Sequence, residues 1–88
     1  MSWFVYILKC RNQNFYTGIT NDLKKRIDLH RRGKGAAYTR SFGVIDLVYS
    51  EACATKSQAL KREAEIKSWS RTKKMELIRL KKKRKTKV

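Results

Sequence analysis

Acidic residues are scarce in this chain. Seven Asp and Glu face 23 Lys and Arg, a formal net charge of +16. An imbalance of that size costs self-repulsion, and its usual counterpart is a polyanionic partner. Proline is absent, and no internal repeat or linker divides the sequence. The two cysteines, Cys10 and Cys53, stand far apart, with no Cys-x-x-Cys pair and no Cys/His cluster. That spacing argues against zinc; it allows one disulfide without requiring it, and two small, partly buried thiols are the plainer expectation. No apolar run is long enough to cross a bilayer. The N-terminal run, Trp3 to Leu8, has neither a basic flank nor a small-residue cleavage site, so it is not read as a secretion signal. A basic helix with a broad Trp/Phe/Leu face, which would suit a membrane surface, is missing as well. The expectation is a cytoplasmic protein, not bound to membrane, whose partner is nucleic acid.

With 88 residues, the chain is sized for one small domain, which buries only about 60% of its unfolded surface. A polar group inside so small a core is costly. Seven of the basic residues fall in the last ten positions, which hold no acid. The rest of the chain is still strongly basic, so a solubilising tail does not account for the charge. We expect a single domain over residues 1–80 and a basic tail, 81–88, disordered in the absence of a polyanion.

The first twenty residues organise the rest. Trp3 to Leu8 is aromatic and β-branched, Arg11-Asn12-Gln13-Asn14 is a polar turn, and Phe15 to Thr20 reads as a second strand, so a hairpin is expected. Alternation puts Phe4, Tyr6 and Leu8 on one face of the first strand, and Tyr16 and Gly18 on one face of the second. If those faces coincide, two phenols meet above a spot that Gly18 leaves open. A half-buried aromatic pair is the ordinary reading of such strands; a site with two ionisable hydroxyls is the sharper one.

Thr20-Asn21-Asp22 offers N-cap chemistry for a helix through Arg32 that ends at Gly33. On it Leu23, Ile27 and His30 share a face, with Arg26 stacked one turn from His30. Gly33 to Gly43 reads as a loop whose Lys34, Tyr38 and Arg40 suit a phosphate backbone, or as an ordinary connector. Val44 to Ser50 is a third strand, with Asp46 and Glu51 as edge or solvent charges. Thr55-Lys56-Ser57-Gln58 has the capping-box pattern and opens a helix to about Trp69. Its apolar face is expected to hold Ala59, Leu60, Ala64 and Ile66, with Glu63 in its midst and Lys61, Arg62 and Glu65 opposite. A carboxylate on a buried side is expensive unless paired, hydrogen-bonded or bound to metal. A structural ion pair and a metal ligand are both open to Glu63. Ser70 caps a last helix carrying Met75, Leu77, Ile78 and Leu80.

Taken together, Tyr6, Tyr16, Gly18, Arg26, His30 and Glu63 in the order β-β-α-β-α-α resemble the GIY-YIG nuclease family, in particular its small stand-alone bacterial members, the UPF0213-type proteins. Phe4-Val5-Tyr6 stands where that family has Gly-Ile-Tyr, and Tyr16-Thr17-Gly18 stands for Tyr-Ile-Gly. Arg26 follows the second tyrosine at the family's spacing, and Glu63 matches its helix acid. Gly33 to Arg40 looks like the loop of the stand-alone group. Phe4 and Thr17 depart from the motif, Ile19 replaces a lysine of the repair-incision branch, and His30 stands where that branch has a third tyrosine. The resemblance implies an α/β (α+β) domain, a small three-stranded antiparallel sheet flanked by helices.

It also implies hydrolysis of DNA phosphodiester bonds with one divalent ion, Mg²⁺ or Mn²⁺, held by Glu63, and no other small-molecule cofactor. Arg26 would stabilise the transition-state charge. Tyr6 would be the base, its pKa drawn below the usual ~10 by Arg26 and the metal. Tyr16 would position water or phosphate, and His30 would bind phosphate or relay a proton. Gly18 would leave room for the phosphate. Lys34, Tyr38, Arg40 and the tail residues Lys81, Lys82 and Lys83 would hold nucleic acid, DNA in preference to RNA. Little sequence specificity, a monomeric state and a role in DNA repair or processing are expected. The alternative is a basic DNA- or RNA-binding module with weak or no turnover.

Overall fold

The computed structural model describes residues 2–86; for residues 37, 38, 42 and 82–86 it describes the backbone path alone. Three strands, β1 (Trp3–Cys10), β2 (Phe15–Thr20) and β3 (Val44–Cys53), combine with four helices, α1 (Leu23–Arg31), α2 (Ala37–Phe42), α3 (Lys56–Lys67) and α4 (Arg71–Thr86). The sheet is antiparallel, in the order β2-β1-β3. This is the expected α/β architecture, with one helix more than the expected order.

β1 is central and covered on both faces, so it reads as an almost continuous apolar run. Val5 and Ile7 point to one side, where they meet Ala59 and Ile66 of α3 and Ile78 of α4. Tyr6 and Leu8 point to the other, against Ile27 of α1. The larger apolar core therefore lies under α3 and α4, and the face beneath α1 carries the phenols.

Local chemistry sets the element ends. In the hairpin turn the Cys10 N–H donates to the Asn14 carbonyl at 2.9 Å and Gln13 takes φ +69°. The Asp22 carboxylate caps α1 by accepting from the Lys25 N–H. α1 ends in a Schellman turn: Gly33 has φ +76°, its N–H donates to the His30 carbonyl, and the Lys34 N–H donates to that of Leu29. Thr55 accepts from the Gln58 N–H while Gln58 Oε1 accepts from the Ala54 N–H, closing the expected capping box one residue early. Ser70 caps α4 at the Lys73 N–H.

Three expectations are corrected. The loop between Gly33 and Gly43 contains α2. Its six residues lie between Gly35 and Gly43 with no helix breaker among them, and its Thr39 is buried at 1% exposure. On α3, Ala59 and Ile66 are fully buried, but Leu60 is 46% exposed and Ala64 is exposed. Residues 59 and 66, two turns apart, form the stripe that meets the sheet; Leu60 and Ala64 form the next stripe, toward solvent. Arg62 is half-buried rather than outward, and its Nε donates to both oxygens of Glu51, at 3.2 and 3.1 Å. Glu51 is accordingly a paired residue inside β3, which extends to Cys53, and not a solvent charge; Asp46 is exposed. The α4 backbone runs to Thr86; no Gly or Pro interrupts it, and Lys and Arg are good helix formers. Cys10 and Cys53 are both free. Among the described residues no helix is long and apolar enough to cross a membrane.

Ile66 is the single α3 side chain of large volume held at 0% exposure against β1. Ile66→Ala is expected to lower unfolding stability by about 2–5 kcal/mol in urea titrations; a loss well under 1 kcal/mol would mean that α3 is not seated on the sheet.

Candidate active site

The site sits on the α1 face, at the β2 side of the sheet. Tyr6 pairs with Gly18 across the two strands, and Tyr16 lies diagonal to Tyr6 on the same face, with the ring centroids 6.5 Å apart. The imidazole of His30 closes the group, 5.7 Å from the Tyr6 ring and 5.1 Å from that of Tyr16. Tyr6 and His30 are each 1% exposed. Two buried polar groups need partners, and they find one another: Tyr6 Oη and His30 Nε2 are 2.8 Å apart. On its far side, His30 Nδ1 lies 2.8 Å from Thr39 Oγ1. Thr39 Oγ1 in turn donates to the Ala36 carbonyl at 3.2 Å.

Gly18 has its open side, but Tyr6 occupies it. A Cβ there would come within 2.6 Å of Tyr6 Oη and 3.2 Å of the Tyr16 ring. The glycine thus lets the phenol lie flat over β2, a more immediate reason for its identity than room for a phosphate. Gly35 does the same for the histidine, since an added Cβ would fall 2.4 Å from His30 Nδ1. Arg26 fastens this loop: its Nη2 donates to the Gly35 carbonyl at 2.9 Å. Its guanidinium also lies close enough to the Tyr6 hydroxyl to oppose the rise in that group's pKa.

That pKa carries opposing contributions from the chain's own residues. Burial pushes the Tyr6 phenol above its ordinary value, Tyr16 and Glu63 add to the rise, and Arg26 offsets only part of it. Tyr6 is therefore a neutral phenol at pH 7. His30 is also neutral: burial, and then the Arg26 charge, lower its pKa from 6.5 to about 4.

Glu63 of α3 is 19% exposed and pairs with Lys67, Oε2 to Nζ at 3.3 Å. The ion-pair reading is thus realised, and Lys67 also marks the carboxylate as a place that attracts a cation. A lone hard-oxygen ligand suits Mg²⁺ or Mn²⁺, which keep much of their shell as water and substrate phosphate. Among the described residues no three His, Cys, Asp or Glu side chains gather into a fuller cage. Beside Tyr16 and Lys67 opens a basic cleft of about 310 Å³, to which α4 contributes Arg71 and Lys74.

Of the expected nucleic-acid contacts, Lys34 and Arg40 are exposed on the loop and helix next to His30. Lys81 instead donates to the Ser50 carbonyl of β3 and lies over the Tyr49 ring. The side chains of Tyr38, Lys82 and Lys83 lie outside the described residues. Sequence reasoning missed Thr39 and the part Gly35 plays; the signal available was a threonine and a glycine in one short loop following the chain's single histidine.

This constellation can be compared with known proteins. The GIY-YIG catalytic domain model matches residues 2–76. The chain belongs to the GIY-YIG family. UPF0213 proteins of Staphylococcus aureus strains Mu3 and Mu50 are each 50% identical to it over 78 residues, covering 89% of this chain and 95% of the relative. The solution NMR structure of the UPF0213 protein BH0048 from Bacillus halodurans superposes with a TM-score of 0.60 at 46% identity, covering 92% of this chain and 86% of that one. GIY-YIG membership places the chain in a nuclease family; the UPF0213 names add no specific function.

The buried imidazole makes a pH prediction. Between about pH 6.5 and 4 the unfolded chain binds a proton at His30 that the native state does not. This contribution is complete above about pH 6.5 and lost as the pH falls through about 4, on the order of 3 kcal/mol. In urea titrations, wild type is expected to lose more stability from pH 7 to 4.5 than His30→Gln; equal losses would contradict a neutral, buried His30.

Proposed function

We propose that the protein is an endonuclease that hydrolyses DNA phosphodiester bonds at the Tyr6–His30 pair, with a divalent ion on Glu63. The observation that carries this reading is the 2.8 Å contact between Tyr6 Oη and His30 Nε2, buried beside Tyr16, Gly18 and Arg26. A neutral phenol serves as a base only if its own proton has somewhere to go, and here a neutral imidazole is already its partner.

Mg²⁺ or Mn²⁺ on Glu63 supplies Lewis-acid polarisation of the scissile phosphate. The chain's own residues do the rest. Tyr6 Oη takes a proton from the attacking water while the phenol's original proton passes to His30 Nε2. The water oxygen forms the new P–O bond, and the bond to the leaving oxygen breaks. The leaving oxygen gains a proton from solvent; Tyr6 Oη then releases the proton it took to the water at the site and recovers its own from His30 Nε2. Arg26, anchored on Gly35, faces the added negative charge of the transition state. Tyr16 orients water or phosphate.

Basic residues flank this centre on two sides. Lys34 and Arg40 stand on one, and the cleft bearing Lys67, Arg71 and Lys74 on the other. Contacts of this kind hold a phosphate backbone without reading its sequence and weaken steeply as salt rises. Use in DNA repair or processing belongs to the same proposal. One observation favours the rival reading of a nucleic-acid-binding module with feeble turnover. The Glu63 carboxylate is already engaged by Lys67, so an ion must compete for it.

Supercoiled plasmid incubated with Mg²⁺, Mn²⁺ or EDTA separates the two. Metal-dependent nicking is expected, lost in Glu63→Ala and lowered on the order of 10²–10⁴-fold in Tyr6→Phe. DNA retained at low salt but never cut would establish the binding module instead.

A further inference from the structure

Thr39 touches neither phenol, yet it determines what His30 can do. The hydrogen-bond chain from Tyr6 ends at the Ala36 carbonyl, which only accepts and also receives the Arg40 N–H at 3.0 Å. The Thr39 hydroxyl lies 3.2 Å from that carbonyl, placed to donate to it. With the proton so placed, its oxygen is left to accept from Nδ1–H of His30, 2.8 Å away. A neutral imidazole with its proton on Nδ1 presents a bare lone pair at Nε2, and the Tyr6 hydroxyl donates to it. With that proton turned inward, the remaining lone pairs of Tyr6 Oη point away from His30.

The surroundings hold the ring in this state. Thr39 and His30 are each 1% exposed, so no bulk water competes for either hydroxyl or ring nitrogen. Gly35 packs against the Nδ1 side closely enough to exclude a side chain, and Arg26 ties down the Gly35 carbonyl. Arg26 and His30, one turn apart on α1, thus grip the loop that leads into α2, and α2 returns Thr39 to the imidazole. This also explains why so short a helix, which has no side-chain cap, is seated where it is.

We propose that Thr39, backed by the Ala36 carbonyl, is a positioning residue that fixes the Nδ1–H tautomer of His30 and so holds Nε2 as the acceptor of the Tyr6 proton. The catalytic consequence rests on the nuclease reading; the tautomer does not. Without the Thr39 oxygen, Nδ1–H would lose its partner in a buried site. The imidazole would then shift its proton to Nε2 and donate to Tyr6 Oη, which turns the phenol proton outward and removes its acceptor.

The chain has a single histidine, so ¹⁵N shifts of a histidine-labelled sample read this tautomer without ambiguity. At pH 7 the wild type is expected to show a pyrrole-like Nδ1 and a pyridine-like Nε2. Thr39→Ser, which keeps the hydroxyl, should retain the pattern; Thr39→Val should mix or invert it. Plasmid nicking should fall roughly 10–100-fold in Thr39→Val, as for other residues that orient a functional histidine, and recover in Thr39→Ser. An Nε2–H tautomer in the wild type would overturn the proposal even if Thr39→Val failed to fold, and so would an unaltered pattern in a folded Thr39→Val. A wild type with the expected tautomer that cuts no substrate would overturn the nuclease reading while leaving the hold of Thr39 on the ring in place.

Discussion

A phenol and an imidazole buried together must satisfy one another, and the Tyr6–His30 hydrogen bond is where they do. Each group is almost fully withdrawn from water. A buried donor or acceptor left alone costs roughly 1–3 kcal/mol. Much of the surrounding architecture is arranged to keep this contact. Gly18 clears space for the Tyr6 ring, Gly35 clears space for the His30 ring, and Arg26 closes the loop over both. The same burial keeps both groups neutral, which allows a proton to pass between them.

The two sides of the sheet divide the work. Val5 and Ile7 face α3 and α4 and build an apolar core with Ala59, Ile66 and Ile78. Tyr6 and Leu8, the alternate residues of the same strand, face α1 and the site. A slip of one residue in β1 would exchange these roles and bury the wrong set. Glu63 comes from α3, on the apolar side, yet lies near enough to Tyr6 to raise its pKa. Core and site are thus joined through β1 and α3, and the stability of the first sets the precision of the second.

Much of this was legible in the sequence because it is periodic or local. Alternation placed Tyr6 and Tyr16 on one face, and the 3.6-residue period brought His30 and Arg26 over it. Caps at Asp22, Thr55 and Ser70 and the stop at Gly33 follow from side-chain chemistry within a turn. α2 was not legible. Six residues are too few to show a period, and its buried residue is a threonine whose partner lies nine positions away. The α3 wheel located a buried stripe only coarsely, because nothing within the helix marks Arg62 as the partner of Glu51 on β3. The opposing contributions at the Tyr6 phenol were half hidden for a similar reason: a neighbouring arginine is visible in sequence, but the depth of burial that works against it is not.

The central claim is that Tyr6 and His30 act as one proton-handling unit, and a double-mutant cycle on DNA cleavage tests it most directly. Tyr6→Phe, His30→Gln and the double variant would be compared in single-turnover rate at saturating DNA and metal. Residues that work as a unit are grossly non-additive. The account predicts that the double variant is no slower than the slower of the two single variants. Losses that multiply would show that the phenol and the imidazole act independently, and would contradict it.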